Sequence, residues 1–304
     1  MRSLIRLIRA TADHPLNRRS PGSRLAALSR VLRWQLASRL LPEAAFALPF
    51  VNRTSLVATR GMTGATGNWY SGLDEPDEMG FLLHVLQPGD QFVDIGANIG
   101  SFSVLAASVT GVEGIAFEPV PDTFRSLVRN IAFNQLGDRV EVRQQGVSDA
   151  PGVLHFTTAL DSMNHVVSDD CAAPDGTVAV DVVRLDDAVS SNGQGKMVFK
   201  VDVEGFEMSV LNGGSGTLGS EAALCVIMET NGSGHRYGVS DSALFAKMRD
   251  YGFVPYHYSP FTRDFSHARE GDKNHINTIF VKDLEEVTRR VRRAKPTALV
   301  SGTL

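Results

Sequence analysis

The stretch "QFVDIGANIG", residues 91–100, decides the fold. An apolar run ends on an acid, Asp94, and turns through Gly96, Ala97, Asn98 and Gly100 before "SFSVLAASV" resumes with helical character. A strand, a small-residue turn and a helix in that order form the unit from which parallel α/β sheets are built, and the bare backbone of the turn lets a ligand approach the sheet's end. The spacing Asp-x-Gly-x-x-x-Gly lacks the three glycines that cradle a dinucleotide pyrophosphate, so no diphosphate is implied.

An acid at that strand end repels phosphate and attracts a cation, whereas the start of the helix beyond it favours a carboxylate. S-adenosyl-L-methionine carries an ammonium, a carboxylate and a ribose together. Glu118 closes the next strand, "GIAFE", 24 residues after Asp94, where an acid accepts hydrogen bonds from both ribose hydroxyls. Two acids at neighbouring strand ends are hard to explain by packing, because both faces of a parallel sheet want apolar residues. The segment "QQGVSD", with Gly146, Val147 and Ser148, is the candidate neighbour of the adenine. A second glycine pattern, "GSGTLG" at 214–219, follows a helix and is rejected as a nucleotide loop.

Outward from this unit, strands and helices alternate: "PDTFRSLVRNIAFN" is a helix, "RVEVRQQ" a strand, "MVFKVD" a strand, "EMSVLNG" a helix, "ALCVIME" a strand and "SALFAKMRDYG" a helix, with "FVPYHY" and "NTIFVK" as final strands. The alternation predicts an α/β fold with a mostly parallel, seven-stranded sheet and helices on both faces. Residues 152–185 read as a small antiparallel insertion. Upstream, "SRLAALSRVLRWQLASRLL" spaces Leu25, Leu28, Leu32, Leu36 and Leu40 as an amphipathic helix, packed on its own domain or lying on a membrane or partner. The glycine-rich passage 61–80 reads as a loop or linker with a short helix beginning near Glu78, and the tail from Leu284 as a basic helix. The predicted organisation is 1–77 as a basic helical extension with its loop, 78–283 as the catalytic domain and 284–304 as the tail. No internal repeat is visible.

With 304 residues and 43% hydrophobic residues, the chain can bury a full core, and the disordered and collagen-like classes are out. No apolar run is long enough to span a bilayer and no signal-peptide core is present, so a cytoplasmic location is expected. Two cysteines make no disulfide framework; Cys225 sits in an apolar run as a core thiol, and Cys171 is uninformative. The net charge of −4 argues against a general nucleic-acid binder. It is unevenly spread: the first 40 residues hold nine arginines and a single acid, Asp13, so peripheral contact with an anionic membrane face is open.

"KVDVEGFE", residues 200–207, is the second anomaly. In an extended strand Lys200, Asp202 and Glu204 point to one side, and three charges at the exit of a central strand cost too much to be idle unless paired. They read as a catalytic edge. The next strand ends "METNGSGHRYG", which brings Glu229, Asn231 and His235 close by. Asp202, Glu229 and Asn231 form an oxygen set suited to magnesium, and His165 in the insertion is a candidate to cap an acceptor. His257, between two tyrosines, reads as structural.

Taken together, "VDIGANIG", "AFEPVPDTFRSLVRNIAFN", "KVDVEGFEMSVLNGG" and "NTIFV" resemble the signature segments of the FkbM-type methyltransferases, over roughly residues 80 to 282. "ADHPLNRRS" and "WQLASRL" are similar to an extension found in a bacterial branch of that family. The resemblance implies a class I Rossmann-like methyltransferase acting on a hydroxyl of a sugar, glycan or secondary-metabolite acceptor. It implies Asp94 and Glu118 as cofactor ligands, and Asp202 and Glu204 as active-site acids. Aliphatic hydroxyls are poor nucleophiles at neutral pH, so a carboxylate, a histidine or a divalent cation must assist. Two other readings stay open on sequence: a nucleic-acid methyltransferase, which adds a basic groove, and a non-catalytic S-adenosylmethionine-binding protein. A nicotinamide-dependent oxidoreductase lacks its pyrophosphate loop here.

Overall fold

The computed structural model describes residues 2–109, 111–158, 164–167, 176–190, 195–272 and 275–304; Cys171 lies outside them. Two N-terminal helices, α1 (Arg2–Asp13) and α2 (Pro21–Leu40), lead through a two-stranded hairpin, Phe46–Pro49 with Ser55–Ala58, into α3 (Thr63–Ser71) and α4 (Pro76–Val85). The passage 61–80, expected as a loop or linker, therefore contains α3 and the first turns of α4.

The sheet follows: β1 (Gln91–Ile95), α5 (Ser101–Ser108), β2 (Glu113–Phe117), α6 (Pro121–Phe133), β3 (Val140–Arg143), β4 (Met197–Val201), α7 (Glu207–Gly213), β5 (Ala223–Glu229), α8 (Asp241–Asp250), β6 (Val254–Ser259), β7 (Asp264–His267), β8 (Asn277–Val281) and α9 (Leu284–Arg293). The strand order is β7-β6-β8-β5-β4-β1-β2-β3, with β8 antiparallel to both its neighbours. This is a doubly wound α/β layout with eight strands where seven are predicted. The additional strand, β7, folds back on β6 at the edge; its "DFSH" sequence is mostly exposed and has no apolar run to reveal it.

Alternate strand residues feed two cores. Phe92 and Val198 join the layer that also holds Val31, Trp34 and Phe81, while Val93, Ile95, Phe199 and Val201 join the layer under α7 and α8. The extension thus shares a core with the sheet. Between β3 and β4 a four-stranded sheet forms the insertion: Gly146–Ser148, Thr177–Arg184, Gly152–Thr157 and Val166–Val167, with antiparallel pairing between the last three and one parallel pair to Gly146–Ser148. The rejected glycine pattern is a short helix, Ser215–Gly219, whose Gly216 and Thr217 amides donate to the Asp186 carboxylate at 3.0 and 2.7 Å. At the far end of the sheet from the glycine turn, the Arg290 guanidinium of α9 reaches the buried Asp90 carboxylate at 2.5 Å and ties the tail to the start of β1. Cys225 is a buried free thiol within β5.

Candidate active site

The strand order reverses between β1 and β4, and at such a switch point the loops leaving the two carboxyl ends diverge and open a crevice. A cavity of about 340 Å³ lies there. Its wall takes Gly96, Ala97, Asn98 and Phe102 from the turn and α5, Glu118 and Val120 from just beyond β2, Lys200 from β4, Asp202 and Glu204 from the turn that follows it, and Glu229 from β5. Among the described residues, the wall carries seven carboxyl groups and one cation, Lys200.

The β1–β2 side is held by backbone. Gly96 and Gly100 have φ of +83° and +88°, a left-handed conformation that glycine tolerates. At Gly96 a side chain would collide with the Asp202 carbonyl, and at Gly100 with Leu127. The amides of Gly96 and Ala97 donate to the Phe117 carbonyl at 3.0 and 2.9 Å, so the turn contributes clearance more than free donors. The Asn98 and Val120 amides each donate to one oxygen of Glu118 at 2.9 Å, which fixes that buried carboxylate while leaving it lone pairs for a ligand. Asp94 accepts from the Ser103 hydroxyl at 2.5 Å through Oδ2; its Oδ1 has no protein partner. Burial pushes the Asp94 carboxyl up to about 6 and that of Glu118 up to about 7, with the hydrogen bonds opposing the shift.

The β4–β5 side is crowded with like charge. Lys200 is 3% exposed, lies 2.5 Å from Asp202 Oδ2, and sits 4.5 Å from the Phe102 ring centroid. Burial opposes its charge, but Asp202, Glu75 and Asp94 outweigh that and raise its pKa. Glu204 has φ of +54°, a strained conformation for a non-glycine residue. Burial, then Asp202, pushes its carboxyl up to about 6. Glu229 rises to about 9 through burial and the acids Asp202, Glu204 and Glu207.

Glu207 and Glu75 are site residues that the sequence reading missed. Glu207 is fully buried and accepts from the Val203 and Gly205 amides at 3.3 and 3.1 Å, shaping the "DVEG" turn that carries Asp202 and Glu204. Its signal was an acid at the first position of α7, three residues beyond Glu204. Glu75 accepts from Asn277 at 2.9 Å and faces Lys200 across the cavity; the acid-rich "LDEPDE" run before α4 was its trace.

Asp94, Gly96, Ala97, Asn98, Glu118, Gly146, Val147, Lys200, Asp202, Glu204 and Glu229 all reach the wall. Five of the anticipated residues stand elsewhere. Gly100 caps α5 behind the wall, against Leu127. Ser148 points its hydroxyl at Asp149. His165 is not among the residues that line the cavity, although its neighbours Asn164 and Val166 are. Asn231 donates its side-chain amide to Glu229 at 2.7 Å, so it orients that acid, and the acids within ligand distance of one another are Asp202, Glu204 and Glu229. His235 is exposed and off the wall. His257, Asp272 and His275 also cluster, but the two imidazoles stack at 3.7 Å and 16°, which leaves no point lying in both ring planes for a shared ion.

A family model described as the methyltransferase FkbM domain matches residues 94–255, over half the chain. The chain is similar to the hexuronic acid methyltransferase AglP of Haloferax volcanii, 33% identical over 48% of this chain and 59% of that one. It is also similar to the 31-O-demethyl-FK506 methyltransferase FkbM of Streptomyces tacrolimicus, 33% identical over 42% of this chain and 60% of that one. The chain thus spans about three fifths of the length of these relatives. Among solved structures, an O-methyltransferase from Thermotoga maritima superposes with a TM-score of 0.35 at 12% identity, over 67% of this chain and 63% of that one, too distant a likeness to bear on the chemistry.

Proposed function

This chain belongs to the FkbM methyltransferase family, and from that premise we propose that it transfers the methyl group of S-adenosylmethionine to a hydroxyl of a sugar, glycan or secondary-metabolite acceptor in the cytoplasm. The observation that carries the reading is the wall of seven carboxyls and one lysine at the switch point, a surplus of negative charge that suits a cationic cofactor. The residues fit that group. Asp94 Oδ1 lacks a partner, Gly96 leaves room that any side chain would fill, and Glu118 is fixed by two amides with lone pairs to spare.

When bound there, the cofactor supplies an electrophilic methyl group. Asp94 would hold its amino group, Glu118 its ribose, and Gly146 and Val147 its base. Asp202, with Oδ2 engaged by Lys200, keeps Oδ1 to orient the acceptor hydroxyl. Glu204 takes the hydroxyl proton: its carboxyl, raised to about 6, is ionised at neutral pH yet basic enough to accept a proton late in an in-line displacement. Glu229, whose proton affinity burial and the neighbouring acids Asp202, Glu204 and Glu207 raise further, is less suited to that role. We assign the catalytic domain to residues 78–283, with 1–77 completing the cavity wall through Gly64, Asn68 and Glu75 and 284–304 as an accessory segment.

A second reading adds a divalent cation such as magnesium. Oxygen atoms of Asp202, Glu204 and Glu229 lie within 4.8 Å of one another, a hard-ligand set that a cation would neutralise. Titration calorimetry with S-adenosylmethionine tests the cofactor, with and without magnesium. Transfer of a radiolabelled methyl group to glycan and metabolite fractions, with none to nucleic acid, tests the acceptor class. Absence of heat on cofactor addition would end both readings.

A further inference from the structure

The leucine stripe of α2 faces away from the protein. Leu25, Leu32, Leu36 and Leu40 are 69, 70, 59 and 69% exposed, while the opposite stripe, Ala27, Arg30, Val31, Trp34 and Ser38, is buried. Spacings of seven, four and four put those leucines on one ridge, and α1 adds Ile5 and Ile8 at 47 and 39% exposure. Solvent-facing leucines in such a row form a patch of the kind that marks an interaction surface.

Arg24, Arg33 and Arg39 border or interrupt this ridge and are exposed, as are Arg6 and Arg9 on α1. Neither helix carries an acid except Asp13. We propose that α1 and α2 form a platform that lies on an anionic lipid bilayer, the leucines entering the acyl boundary and the arginines meeting lipid phosphates. Among the described residues no helix is long and apolar enough to cross a membrane, so the contact is interfacial. A second copy of this chain fits the ridge less well, since pairing two such faces sets arginine against arginine with no acid between them.

The platform backs onto the cavity. Arg30 donates from the buried face of α2 to the Tyr70 carbonyl of α3 at 2.8 Å, and Gly64 and Asn68 of α3 stand in the cavity wall. A bilayer under α2 therefore lies one helical layer from the site. The inference holds whichever acceptor the enzyme uses.

Flotation of the full chain with phosphatidylglycerol-containing vesicles, and with phosphatidylcholine vesicles alone, reads the contact. The protein is expected to float with the anionic vesicles at low salt, with weaker partitioning at high salt, and to stay behind with the neutral ones. The triple change Leu25→Ser, Leu32→Ser, Leu36→Ser should lower partitioning roughly tenfold or more. The triple change Arg24→Gln, Arg33→Gln, Arg39→Gln should lower it about fivefold per arginine. All six residues are exposed, and an unchanged melting curve verifies that each variant folds. No flotation with anionic vesicles at low salt overturns the proposal, as does equal partitioning of the leucine variant. A dimer that the leucine changes dissolve, without vesicle binding, assigns the ridge to a second copy and overturns it too.

Discussion

The two halves of the cavity hold their acids in opposite ways. On the β1–β2 side Glu118 sits between two backbone amides and Asp94 takes a serine hydroxyl, so each charge has a neutral donor set by the fold. On the β4–β5 side Asp202, Glu204 and Glu229 face one another, and Lys200 alone offsets them among the described wall residues. Preset hydrogen bonds suit a half that binds one invariant ligand. Mutual repulsion raises proton affinity and suits a half that must move a proton or take up a cation.

The largest expected effect is on Glu204. Glu204→Gln should lower turnover about a hundred- to ten-thousandfold while S-adenosylmethionine affinity stays near parental, because the amide keeps the shape and cannot accept a proton. Parental turnover in calorimetrically competent protein would move the base elsewhere on β4 or β5. Asp202→Asn in the same assay separates orientation from proton transfer: it should weaken acceptor KM along with rate.

Next in size, Lys200→Met should destabilise the fold by about 3 to 5 kcal/mol in denaturant unfolding, since it leaves buried acids with no cation. Should the variant be as stable as the parent, the acids are protonated and the crowded half is electrically quieter than described. Magnesium sharpens the point: if a cation joins the site, it should restore stability to Lys200→Met, and chelation should silence the parent enzyme.

On the preset side the effects are smaller. Asp94→Ala and Glu118→Ala should each weaken cofactor binding about tenfold or more, the worth of one charge-assisted hydrogen bond, without affecting acceptor KM. Calorimetry checks this, and unchanged affinity in both would break the division between halves.

The last expected effect is on pH dependence. Glu118, Glu207 and Glu229 have carboxyls raised to about 7, 7 and 9 by burial, above their unfolded values. The folded state therefore binds more protons, so these groups contribute stability that is full below their unfolded value of about 4.5 and is lost as pH rises through about 7 to 9. Melting temperature of the ligand-free protein should decline over that window. A saturating cationic cofactor should flatten the decline, because it favours the ionised acids.

Much of this was readable beforehand for physical reasons. Parallel strands buried on both faces leave continuous apolar runs, so "QFVDI", "MVFKVD" and "ALCVIME" stand out, and an acid that ends such a run is conspicuous. Asp94, Glu118, Asp202 and Glu204 were found by that contrast and do meet in one cavity. Glu207 was hidden because an acid at a helix start is ordinary, and only the three-dimensional turn shows it accepting two amides. The sequence does not show that Asn231 donates to Glu229 or that His165 stands off the cavity wall, because nearness in sequence carries no orientation. β7 was missed because an exposed edge strand needs no apolar pattern.

The sequence alone determined the order of the buried strands and the helices between them, the glycine turn and the acids at the strand ends, since periodicity and steric demand act locally along the chain. Only the tertiary structure decided which acids meet, which are satisfied by backbone, and which side of α2 faces inward. That helix offers two apolar stripes, a leucine ridge and a smaller one of Ala27, Val31 and Trp34, and its periodicity permits burial of either. The smaller stripe is inside because the buried Arg30 finds the Tyr70 carbonyl there and the face joins the core shared with the sheet, which leaves the leucines to the solvent.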